Sequence, residues 1–73
     1  MNNEMKRQFI ELLEQDAAQA RKVAQAWKEL EQKGAGLEDA QGKTIATAAD
    51  MVTRHAKKEE ELRAMIAKIS ALP

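Results

Sequence analysis

The sequence predicts an all-α protein: an antiparallel two-helix hairpin of coiled-coil type that completes its core by assembling into a four-helix bundle or a higher helical oligomer. Three observations predict it. Of 73 residues 14 are Ala, and Glu, Gln, Lys and Arg fill most of the polar remainder, all strong helix formers. Tyr is absent and Phe and Trp occur once each, which gives a sheet little support. The single proline is the last residue, so no helix is interrupted by a missing N–H.

The first helix is expected from about residue 3 to 33. Asn2 or Asn3 can cap its start, Glu4 suits the positive end of the helix dipole, and Gly34 is the natural left-handed residue after its last turn. A loop is expected over about 34–43. The second helix is expected from Thr44, as its N-cap, to about residue 71. A start at Gly36 would bury Gly42 inside a helix, so a short turn at Leu37–Gln41 is favoured. Similar lengths around a short connection favour an antiparallel pair in one domain, 1–73.

Apolar spacing sets the expected seam. Phe9, Leu13, Asp16, Ala20, Val23, Trp27 and Leu30 follow 4,3 steps on the first helix, with Met5 and Leu12 beside them. Ile45, Ala48, Val52, His55, Glu59, Leu62, Ile66 and Ile69 do so on the second. Alanine lines the middle, and the large side chains gather at the end away from the loop. Ile10 falls about 100° off the first line, and Met51, Leu62, Met65, Ile69 and Leu72 form a further stripe on the second helix. Two stripes call for two partners. The expected assembly contact is therefore Ile10, Leu13, Met51, Leu62, Met65, Ile69 and Leu72.

Polar residues interrupt the seam. Asp16 with Arg63, and His55 with Glu59, are expected to form a layer that fixes register. A cation held by Asp16, His55 and Glu59 is the sharper alternative. One His and no Cys make a poor ligand set, and neither a metal nor another cofactor is expected. Gly42-Lys43-Thr44 matches the end of a phosphate-binding loop, but Gly36 stands one residue too far upstream and no strand is expected before it. Arg54, Lys57 and Lys58 form a short basic run that Glu59, Glu60 and Glu61 cancel.

Twelve basic residues balance twelve acidic ones, so the electrostatic footprint of a nucleic-acid binder is missing. Without cysteine there is no disulfide or thiol chemistry. The opening MNNEMKRQF lacks an apolar signal core, and no apolar run approaches the ~20 residues of a membrane span. A soluble cytoplasmic protein is expected. Its expected function is non-enzymatic: a protein–protein interaction module, adaptor-, chaperone- or inhibitor-like, acting as a homodimer or small homo-oligomer and engaging another protein. The alternatives are a nucleic-acid-associated regulator using the basic helix face after dimerisation, and a metal- or small-ligand-binding bundle.

Overall fold

A computed structural model describes residues 2–34 and 36–73. Two long helices, α1 (Asn3–Gln32) and α2 (Ala48–Ser70), flank a short strand pair, β1 (Gly36–Glu38) and β2 (Thr44–Thr47). The Lys6 ammonium donates to the Leu72 carbonyl, which joins the start of α1 to the end of α2 and makes the helices antiparallel. No helix among the described residues is long and apolar enough to cross a membrane.

The first helix begins and ends as its sequence dictates. The Asn2 carboxamide oxygen accepts from the Met5 N–H at 2.7 Å, satisfying one of the orphan donors of the first turn. At the other end the Lys33 and Gly34 N–H groups donate to Leu30 and Glu31 carbonyls, each at 3.0 Å. Gly34 then turns the chain at φ 75°, a conformation that costs other residues a Cβ clash.

The connection departs from expectation. The loop expected over 34–43 includes Ala35, outside the described residues; its residues Gly36–Glu38 form a strand, and Thr44 does not cap a helix. Thr44, Ile45 and Thr47 are β-branched and suit a pleated ribbon. They pair antiparallel with β1 in the register Gly36↔Thr47, Leu37↔Ala46 and Glu38↔Thr44, with an irregularity between Leu37 and Glu38. Gly36 is required by this pairing, since a Cβ there would lie 2.9 Å from the Ala46 carbonyl oxygen. The turn is tied by Asp39, whose carboxylate accepts from the Gln41 and Lys43 N–H groups, both at 2.9 Å. Helix α2 starts three residues later than expected, at a capping box. The Thr47 hydroxyl accepts from the Asp50 N–H at 3.1 Å, and the Asp50 carboxylate accepts from the Thr47 N–H at 3.3 Å. Thr44 has no acidic residue three positions on, and Thr47 does.

The buried core is Leu13, Ala17, Ala20 and Ala48. The expected seam of α2 is half-buried from Val52 through His55, Glu59, Leu62 and Ile66 to Ile69, but Ile45 lies in β2 and is 66% exposed. On α1 the seam is corrected. Lys6, Ile10, Leu13, Ala17, Ala20, Ala24 and Trp27 face α2 at 4,3 steps; Val23 is half-buried as well, while Phe9, Asp16 and Leu30 are exposed. The apolar arc of α1 is wide enough to hold two such lines, and the line richer in alanine takes the contact because it lets the axes approach most closely.

Replacing Thr47 with Ala is expected to remove about 1 kcal/mol of capping stability. At fixed protein concentration the thermal midpoint followed by circular dichroism should fall by roughly 4–8 °C. Thr44→Ala should change it far less; equal effects would return the cap to Thr44.

Candidate functional site

An apolar face lies beside the seam, not within it. Met5, Phe9 and Leu12 of α1 are 58%, 46% and 60% exposed, and Met65 of α2 and Leu72, two residues past its end, are 45% and 47% exposed. Ile69 is half-buried between them. At about 100° per residue, the α1 stripe is turned by roughly 90° from the Leu13–Ala17–Ala20 line, and the α2 stripe by a similar angle from Val52–His55–Ile66.

The two stripes share one face. A shallow groove of about 200 Å³ is lined by Arg21, Gln25 and Lys28 of α1 and by Val52, Ala56 and Glu59 of α2. Its residues fall on the same rotational side of the seam on both helices. Met5, Phe9 and Leu12 fall on the other side, as do Met65 and Leu72, so they meet on the opposite face. The Lys6–Leu72 bond sets them level at the open end of the hairpin.

The expected contact residues separate into two groups. Met65, Ile69 and Leu72 lie on the exposed face; Met51 and Leu62 border it and are half-buried. Leu13, at 8% exposure, is consumed by the seam, and Ile10 is half-buried on the far side of it. Met5, Phe9 and Leu12, expected in the seam or on its flank, lie instead on the exposed apolar face. The signal that separates them is the parallel line Lys6, Ile10, Leu13, Ala17, Ala20 and Ala24.

Neither pair of the expected polar layer is bonded: His55 makes no hydrogen bond or ion pair with Glu59. Arg63 pairs with Glu59 one turn away, N···O 2.8 Å, not with Asp16. Asp16 is exposed on the apolar face, away from the half-buried His55 and Glu59. Among the described residues no three His, Asp or Glu side chains gather where they could hold a cation. Lys43 leads into β2 and not into a helix, so the Gly42-Lys43-Thr44 segment lacks the helix N-terminus that a phosphate loop uses. The surface depression beside Lys6, Arg7, Ile10 and Glu14 is open and lined by α1 alone.

Compared with protein-family models, with curated proteins and with solved structures, the chain matches none.

Substituting His55 by Leu should be neutral or stabilising in thermal denaturation, because an apolar side chain of similar size suits its half-buried seam position. Arg63→Ala should cost no more than about 0.5 kcal/mol, the scale of a solvated i,i+4 pair. A marked loss at His55 would reveal a bonding role for the imidazole.

Proposed function

We propose that this chain is a non-enzymatic protein–protein interaction module, adaptor-, chaperone- or inhibitor-like, that works as a homo-oligomer through its apolar helix face. The observation that carries this reading is the single face formed by Met5, Phe9 and Leu12 with Met65 and Leu72, all large, apolar and solvent-exposed. Area supports it. The chain exposes 5688 Å², whereas a compact monomer of 8.2 kDa exposes about 4,500 Å². That difference of about 1,200 Å² exceeds the ~800 Å² that each partner contributes to a standard interface. Thickness supports it as well: the molecule measures 52 × 22 × 14 Å, one layer of helices where a stable domain has two. The Met side chains give the face an adaptable surface, suited to more than one partner.

Placing a charge on this face tests the reading. Leu12→Glu and Met65→Glu should each raise the dissociation constant of the assembly at least about tenfold, since a carboxylate would be driven into an apolar contact. Gln25→Glu, on the other side of α1, should leave it unchanged. Sedimentation equilibrium measures all three, with far-ultraviolet circular dichroism confirming that the helices persist. A wild-type chain that stays at 8.2 kDa at high micromolar concentration, or three variants that behave alike, would sink it.

A further inference from the structure

We infer that the occupant of this face is a second copy of the chain, laid across it with the two turns at opposite ends and the two-fold axis crossing α1 between Asp16 and Gln19. The inference rests on the reading of the face as a contact surface. Its basis is the pattern of the outer α1 stripe, exposed except for the half-buried Val23. Met5, Phe9, Leu12, Asp16, Gln19, Val23, Ala26 and Leu30 follow 4,3 steps, with two polar residues at the centre and three apolar residues on either side.

An antiparallel copy about that centre matches each residue with a suitable one. Met5 meets Leu30 of the second copy, and Leu12 meets its Val23. Phe9, the largest side chain of the stripe, meets Ala26, the smallest, as interdigitating layers require. Asp16 meets Gln19. The carboxylate only accepts and the carboxamide donates, so two symmetry-related hydrogen bonds to a charged acceptor close the polar centre. On α2 the same axis sets Met65 and Ile69 against the aliphatic stems of Lys58 and Arg54.

The alternative, with both turns at one end, treats Asp16 worse. α1 would then lie over α2 of the second copy. Lys6 stands level with Leu72 and Arg21 with Glu59, so Asp16 would come between Leu62 and Met65. Arg63 is turned to the other side, bonded to Glu59. Lys58 lies about a turn or more nearer the β-turn, and its stem leans away toward the N-terminus of α2. A buried carboxylate without a donor disfavours that arrangement. The net charge of zero places no general repulsion between two copies.

The chain has no cysteine, so one introduced thiol can be labelled cleanly. Ala40 is exposed in the turn between the strands. The dimer of an Ala40→Cys variant carrying a nitroxide should show, by pulsed electron paramagnetic resonance, a label separation near the 52 Å length of the molecule. A separation of no more than about 20 Å, the ~8–10 Å spacing of packed helices widened by the two label arms, would place the turns together and overturn the inference while leaving the contact face intact. A monomer in parallel sedimentation would overturn the functional reading itself. The polar centre has its own test. Gln19→Glu sets two carboxylates against each other and should weaken dimerisation at least about tenfold. Adding Asp16→Asn to Gln19→Glu exchanges the two partners and should restore affinity to within about threefold of wild type. No loss in the single variant, or no recovery in the double, would remove the axis from this position.

Discussion

Alanine at the helix–helix contact constrains the rest of this molecule. Ala17, Ala20 and Ala48 are buried almost completely, with Leu13 as the one large residue among them. Small side chains let two helices approach closely, and they withdraw little apolar area from water in doing so. The result is a single layer whose strongest packing uses its smallest residues. Larger apolar side chains sit on the flank of the same helices, where the hairpin cannot cover them. Burial at the seam and exposure on the outer apolar face are two outcomes of one choice of seam.

Closely spaced helices also need a narrow connection. Hydrogen-bonded strands lie only about 4.8 Å apart, less than the ~8–10 Å between packed helix axes. The pair β1 and β2 draws the chain in at the turn and lets it widen toward the helices. The irregularity between Leu37 and Glu38 belongs to that transition. Asp39 fixes the turn through its own side chain, and Thr47 with Asp50 converts extended chain into helix within one residue. Each device satisfies backbone groups that a looser loop would leave to water.

Composition and spacing were enough for two helices, their antiparallel order and a cap at Asn2 or Asn3, between which the structure chooses Asn2. They were not enough for the seam of α1. Apolar residues cover a broad arc there, and two lines with identical 4,3 steps run side by side. The two lines share Leu13, Ala20 and Trp27; hydrophobicity favours the one through Phe9 and Leu30, and close approach favours the one through Ala17 and Ala24. A pattern of residue types does not carry that difference, because it depends on the distance between two helix axes. The strand pair was obscured for another reason. Three or four residues on each side are too short for alternation to register, and Thr44 offers a cap as readable as Thr47 until position 50 is considered. Asp16 could be singled out as an oddity in the sequence, but its location on the outer face and not in the layer with His55 follows only from the seam.

The junction between β2 and α2 has no spacer: Thr47 ends the strand and Ala48 begins the helix. That makes the ribbon a torsional anchor. The strand is held in register by its ladder, so the rotational phase of α2 about its own axis is inherited from β2. One residue added at this point would turn the whole of α2 by about 100° without breaking either helix. Met65 and Leu72 would swing away from Met5 and Phe9, and the shared face would divide into two separate stripes. Four short-range hydrogen bonds at the turn and cap thus govern the alignment of side chains some twenty residues distant.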